Sequence, residues 1–504
     1  MRVENTIKNL KYSYILKAIS MLLHLITRAV FIKFLSVELL GANGLFSNII
    51  GILSFADLGI GSAITFSLYK PLEQGDSERI KTLVHLYKKC YTIAGFFILI
   101  MGLCLIPLLP SLTNHSTLPN INEIYCLFLL VTVVSYFTAD KQSLLIADQK
   151  QYVVSKISIY FEFIQCILQI AAIIILKNYI AYLLVQLICQ IGTNIMIRSV
   201  AMNQYHYLAD KNVQKLGEND RNEILKNIKA MFMHKVGGVL VNNTDYIIIS
   251  SFIGLKIAGI ASNYTLIISY ISMILLQISN STVASVGNLA ASDTSIDYQY
   301  RVFQRLDFLN YSLYFFATVF LSCCMSPLIS LLGKEYSLDN LTIFIMCSNF
   351  MISGYRIIVN QFKQVSGLFY FDRYKSLCEA LVNIVTSLIL VKTNGLLGVY
   401  LGTLICQLSA GVWWEQIVLF KHYFHMPSSK YHVQWFGNLA VTMLTSILCS
   451  SICQSLNMSG IKLLLMTIVI ALAGSTAVYL ALYKKKEEYS YFIQFLKMHL
   501  HFGK

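Results

Sequence analysis

Charged residues are scarce in this chain of 504 residues. Asp, Glu, Lys and Arg make up 13% of it, about half the share of an ordinary soluble domain, and that scarcity excludes a soluble fold. Long polar stretches are missing too: the longest, roughly residues 203–229, falls short of the 50 or more residues that a separate domain needs, so there is no room for a soluble enzyme domain. The twelve cysteines form no CxxC pair and no framework in the outer loops, against a zinc motif or a disulfide scaffold. Cys104, Cys166, Cys189, Cys347 and Cys406 lie in or beside apolar runs and read as small packing residues. His422, His425 and His432 share one loop without Cys or carboxylate ligands, so they read as solvated side chains rather than a metal site. The first apolar run is too long for a signal peptide and no small-residue cleavage site follows it, so it reads as a retained helix.

What is present is hydrocarbon. The apolar share is 56% and the mean hydropathy +0.63. A span needs about 20 apolar residues, so the chain carries material for roughly fourteen. The expected fold class is an all-α polytopic membrane protein. The net charge of +14 would suggest nucleic acid in a soluble protein, but here it follows from the loops. Lys33, Lys177, Lys256, Lys334, Lys392 and Lys462 fall on the outer side, and Lys17, Arg28 and Arg356 fall inside spans. All other Lys and Arg lie on one side, which the positive-inside rule makes cytoplasmic, with both termini on it.

The spans divide as six, six and two. A first six-helix lobe covers 1–205, a cytoplasmic linker 206–230, a second six-helix lobe 231–430, two further spans 431–483 and a basic amphipathic cytoplasmic tail 484–504. A weak repeat supports the duplication: Gly44-Leu45-Phe46-Ser47-Asn48 and Gly259-Ile260-Ala261-Ser262-Asn263 each open the second span of a lobe. Equal, even-numbered halves enter from the same side, as parallel repeats do, and would enclose a cavity. Outside the spans, Ile224, Leu225, Ile228, Met231 and Phe232 form one amphipathic stripe and Tyr489, Phe492, Ile493, Leu496 and Leu500 another, both expected to lie on the inner membrane surface.

Ionisable residues inside a span cost on the order of 3 kcal/mol and normally face a bundle interior or a hydrated cavity. Lys17, Ser20, His24, Thr27 and Arg28 make one polar stripe on the first helix. His234, Gly238, Asn242 and Asp245, with Asn243 beside them, make another on the seventh; the repeat offset sets Arg28 against Asn243 and close to Asp245, so an ion pair between halves is one reading. Ser54, Asp57, Gly61 and Thr65 continue the pattern in the second span, and Ser158, Glu162, Gln165 and Gln169 in the fifth. Arg356, Glu379 and Glu415 sit close enough to the cytoplasmic surface to be solvated. A cavity of amides, hydroxyls and cations suits a polyhydroxylated ligand carrying phosphate.

The run Leu40-Gly41-Ala42-Asn43-Gly44-Leu45-Phe46-Ser47-Asn48, continued by Ala56-Asp57-Leu58-Gly59-Ile60-Gly61-Ser62-Ala63 and Tyr69-Lys70-Pro71-Leu72, closely resembles the bacterial polysaccharide-transporter, or O-antigen (Wzx-type) flippase, family. Asn242-Asn243-Thr244-Asp245, Ala284-Ser285-Val286-Gly287-Asn288-Leu289 and Gly333-Lys334-Glu335-Tyr336 extend the resemblance over most of the chain. It implies the multidrug/oligosaccharidyl-lipid/polysaccharide exporter fold: two six-helix lobes in a MATE-like V, here with two additional C-terminal helices. It further implies a bacterial inner-membrane flippase, not an enzyme, that moves polyprenyl-pyrophosphate-linked oligosaccharide outward by alternating access, with other polysaccharide-assembly proteins and membrane lipid as partners and no nucleic acid. Arg28, His24 and Lys17 would hold pyrophosphate, and Asn242, Asn243, Gln165 and Gln169 would contact sugar. Asp57, Glu162 and Asp245 would take a coupling proton or sodium ion, with no other cofactor. The alternative of the same fold is a drug/cation antiporter.

Overall fold

A computed structural model describes residues 2–54, 60–210, 217, 238–241, 243–280, 282–290, 294–368 and 371–500. Asp57, His234, Asn242 and the stripe from Ile224 to Phe232 lie outside these. The described chain is helical throughout, and contacts divide it into two units, Met1–Gly259 and Ile260–Lys504. Nine helices among the described residues are long and apolar enough to cross a membrane, and a pair bent by 46° makes a tenth, so the protein is a multi-pass membrane protein.

The first unit contains α1 (Arg2–Phe34), α2 (Val37–Leu53), α3 (Ile60–Gln74), α4 (Ser77–Cys104), the bent pair α5 (Ile121–Tyr136) and α6 (Ala139–Ala147), α7 (Gln151–Ala171), α8 (Tyr179–Gln204) and α9 (residues 243–252). Polar loop residues start the helices by accepting their otherwise orphan amides. Asp76 accepts the Arg79 N–H at 3.0 Å, and Asn178 the Ile180 N–H at 2.8 Å. The apolar faces then divide between core and lipid. Tyr87, Leu83 and Ile98 of α4 are buried with Leu129, Tyr136 and Leu144, whereas Ile93, Phe96 and Ile100 of the same helix stay exposed.

α9 and the first residues of α10 pack on α2 within the unit Met1–Gly259. A Cβ on Gly41 would lie 1.9 Å from the Leu255 carbonyl oxygen, and one on Gly259 would lie 2.1 Å from that of Val37. Glycine is what allows these backbones to touch. Gly44, the other glycine of the repeat, carries the ring of Tyr246 at 2.4 Å from the same virtual position.

The second unit contains α10 (Leu255–Asn280, which begins at the unit boundary), α11 (Val283–Ala290), α12 (Ile296–Ser330), α13 (Asn340–Tyr355), α14 (Ile357–Val365), α15 (Lys375–Cys406), α16 (Val412–Leu419), α17 (Ser429–Gln454), α18 (Gly460–Tyr483) and α19 (Glu487–Leu500). The apolar stretch Lys375–Phe424 folds back on itself at Gly395, whose φ of 54° and ψ of −131° no side-chain-bearing residue adopts at ease. Across that turn Asn383 Nδ2 donates to Thr403 Oγ1 at 3.0 Å and Ser387 Oγ to the Val399 carbonyl at 3.2 Å, so the stretch forms two antiparallel arms.

α12 is the hub, and the two C-terminal spans are built into it. Ser312 shares a hydrogen bond of 2.6 Å with Tyr479, Tyr311 one of 3.0 Å with Tyr483, and Tyr483 donates to Asn438 Oδ1 at 2.8 Å. Tyr431 donates to Asp307 at 3.0 Å, and Trp435 stacks on Tyr355 at 5.2 Å. The start of the tail helix is tied to the bundle: Phe492 is buried, its ring 5.6 Å from Tyr479, and Glu487 pairs with Arg305 at 2.7 Å.

Candidate functional site

The polar stripe of α1 meets α7 and α8. Thr27 is buried and donates to Cys166 Sγ at 3.2 Å, and Phe31 packs edge-on to Tyr179 and Tyr182 at 5.4 and 5.6 Å. These contacts fix the rotation of α1 and leave Arg28, one residue on, half-buried and close enough to Tyr179 and Tyr182 to act on them electrostatically. Gln169, buried on α7, donates to the Tyr182 carbonyl at 3.3 Å and accepts from Gln165 at 3.3 Å. Arg28 and Gln169 thus both approach Tyr182, and Gln165 is bonded to Gln169. His24 is exposed with Nδ1 against the Ser20 carbonyl at 2.9 Å, and Lys17, two turns back, is exposed as well.

Glu162 lies one turn before Gln165 and Cys166 on α7. One of its carboxylate oxygens is buried without a hydrogen-bond partner among the described residues. Asn243 donates to the Val239 carbonyl at 2.7 Å, and its Oδ1 would lie 2.6 Å from a Cβ on Gly51. It is thus packed into the seam with α2. Asp245 is half-buried on α9.

The second unit holds a cluster that sequence reasoning misjudged. Arg356, Glu379 and Glu415 are not solvated. Arg356 donates from Nε and Nη2 to the two oxygens of Glu415 at 2.8 and 2.7 Å and from Nη2 to Glu379 at 2.6 Å. Lys375 pairs with Glu415 and, at 3.3 Å, with Glu379, while Lys363 pairs with Asp372. Glu415 is only 1% exposed. Three cations meet three carboxylates, and the bidentate fork of Arg356 supplies the geometry that lets a buried pair offset its desolvation. The loop histidines are also packed: His432 is buried against Trp413 at 4.6 Å, and His422 stacks on Phe371 at 3.9 Å.

At the end of the first unit where α8 stops, Tyr205 donates to Asp148 at 2.6 Å and Lys150 pairs with the same oxygen at 2.6 Å. Burial, reinforced by Asp148, pushes the Tyr205 phenol well above its ordinary range and that of Tyr207 up to about 12. Both therefore stay neutral donors at physiological pH.

No protein-family model matches the sequence, and no curated protein does. Solved structures do match. The lipid II flippase MurJ, in an inward closed conformation, superposes with a TM-score of 0.63 at 17% identity over 94% of this chain and 99% of that one. The fold is that of the MurJ and MATE exporters. An inward-facing multidrug-resistance MATE transporter of the MOP superfamily gives 0.57 at 13% identity over 80% of this chain and 96% of its own. The Vibrio cholerae MATE transporter VcmN, solved as a point mutant, gives 0.57 at 15% over 84% and 99%.

Proposed function

We propose that the protein is a flippase for polyprenyl-pyrophosphate-linked oligosaccharide, carrying repeat units outward across the bacterial inner membrane for surface polysaccharide assembly, with both termini cytoplasmic. The observation that carries this reading is the half-buried Arg28, which with Gln169 approaches Tyr182, in a fold shared with the lipid II flippase MurJ. Phosphate prefers a guanidinium, and sugar hydroxyls prefer amides. His24 and Lys17 extend the cationic face toward the cytoplasmic end of α1, and Asn242 and Asn243 offer further sugar contacts. The prenyl tail stays in lipid. Alternating access moves the head group, and a net direction needs a gradient. Glu162, with its unpartnered carboxylate oxygen, takes the proton or sodium ion, with Asp57 and Asp245 as further sites.

The test is reconstitution in liposomes with a polyprenyl-pyrophosphate oligosaccharide and an imposed proton or sodium gradient, following head-group accessibility. A charged hydrogen bond is worth about 1.5–3 kcal/mol, so Arg28→Ala is expected to slow transport by roughly tenfold or more, with Arg28→Lys intermediate. Transport unchanged in folded Arg28→Ala removes the site. Absence of wild-type movement removes the flippase reading and favours a drug/cation antiporter, for which the same Glu162 oxygen speaks; Glu162→Gln would then abolish drug efflux while Arg28→Ala leaves it intact.

A further inference from the structure

The first unit has a second cationic feature, away from the stripe on α1. Lys81 and Lys88 near the start of α4, Lys141 on α6 and Arg198 near the end of α8 line one cavity of about 260 Å³, with Asp140 and Asp210 as its carboxylates. Lys81, His85 and Lys88 stand at i, i+4 and i+7, one face of the helix. The carboxylates are already engaged: Asp210 with Lys81 at 2.9 Å and Asp140 with Lys141 at 3.0 Å, while Glu78 holds Lys81 from the other side at 2.9 Å. Lys88 and Arg198 have no acidic partner among the described residues. The cavity therefore keeps two uncompensated cations, and its volume is that of a head group rather than of an oligosaccharide.

Its surroundings say which anion. Phe137 lines the cavity and meets Phe96 edge-on at 6.4 Å. Along α8 the face of Arg198 continues through Ile195, Ile191 and Ile188, which are 62%, 40% and 65% exposed. On α4, Phe96, two turns beyond Lys88, is 51% exposed beside Phe137. On membrane-spanning helices such residues face acyl chains. A cationic cavity opening onto an apolar, lipid-facing seam, at the end of the bundle that the positive-inside rule makes cytoplasmic, matches a phospholipid: charge at one end and hydrocarbon leading away from it.

We propose that this cavity binds the phosphate-bearing head group of an anionic phospholipid of the cytoplasmic leaflet, its acyl chains lying along the apolar faces of α4 and α8. Lys88 and Arg198 hold the phosphate, and Lys141 and Lys81 border it while paired to their own carboxylates.

The test uses the purified full chain in detergent, titrated separately with phosphatidylglycerol, phosphatidylcholine and glycerol phosphate. Bound lipid is read by native mass spectrometry on size-exclusion-pure protein, and the thermal midpoint is followed alongside. Phosphatidylglycerol is expected to bind saturably and raise the midpoint, and the other two are not. Each removed cation is expected to weaken binding on the order of fivefold, so Lys88→Gln with Arg198→Gln loses roughly 25-fold. Both residues are exposed and unpaired, so the lipid-free midpoint should hold, and the mass measurement on folded protein reads binding even if it falls. Lys484→Gln with Lys485→Gln removes exposed charge elsewhere and is expected to change nothing. Binding unchanged in the cavity pair, equal loss in the control pair, phosphatidylcholine binding as well as phosphatidylglycerol, or protection by glycerol phosphate alone would each overturn the proposal.

Discussion

The two units treat clustered charge in opposite ways. In the second, Arg356, Lys363 and Lys375 are spent on Glu379, Glu415 and Asp372 and closed off from solvent. In the first, Lys81 shares two half-exposed carboxylates, and Lys88 and Arg198 keep their charge beside an open cavity. Equal numbers of opposite charges, once buried, hold helices together and bind nothing else; an excess of one sign around a cavity is free to bind. Counting cations alone would rank the two clusters alike, and only the pairing separates cement from receptor.

That contrast can be broken by removing one partner on each side. Glu415→Ala leaves Arg356 and Lys375 buried without their shared carboxylate and is expected to cost about 3–5 kcal/mol, read as a fall in the detergent-solubilised protein's thermal midpoint. Asp210→Asn in the first unit leaves Lys81 with Glu78 and should hardly move that midpoint; equal shifts would erase the distinction. Arg356→Lys keeps the charge but loses the fork that spans both oxygens of Glu415, and an intermediate loss of about 1–2 kcal/mol is expected by the same measurement. The smallest effect expected in the second unit belongs to a neutral network: Tyr483→Phe removes the hydroxyl shared by Tyr311 and Asn438, for about 1 kcal/mol. A loss as large as that of Glu415→Ala would make the tyrosines, not the ions, the main tie of the second unit.

Periodicity and composition made the membrane fold legible, since an apolar run of about 20 residues has few other uses. The stripe on α1 was legible for the same reason: helical spacing alone sets Lys17, Ser20, His24, Thr27 and Arg28 on one face. The repeat around Gly44 and Gly259 was visible as a pattern, but its use as a seam was not, because close backbone approach leaves no mark beyond the glycines themselves. Burial of Arg356, Glu379 and Glu415 was illegible because the partners are 23 to 59 residues apart, brought together by the hairpin at Gly395. The second unit's tyrosine network was hidden in the same way. Spacing did hold one clue that went unused: Lys81, His85 and Lys88 on a single helical face mark the edge of the cavity in the first unit.

The partners of α12 arrive late. Tyr311 and Tyr483 are 172 residues apart, and at a synthesis rate of about 5–20 residues per second that separation is roughly 10 to 30 s. Until then the Tyr311 hydroxyl lacks Asn438, Thr442 and Tyr483, the partners it meets in the folded unit. Assembly of the second unit is therefore completed only by the last spans to leave the ribosome. A nonsense mutation just after residue 428 would leave the buried Tyr311 hydroxyl without any of these partners, at a cost in stability of about 1–3 kcal/mol.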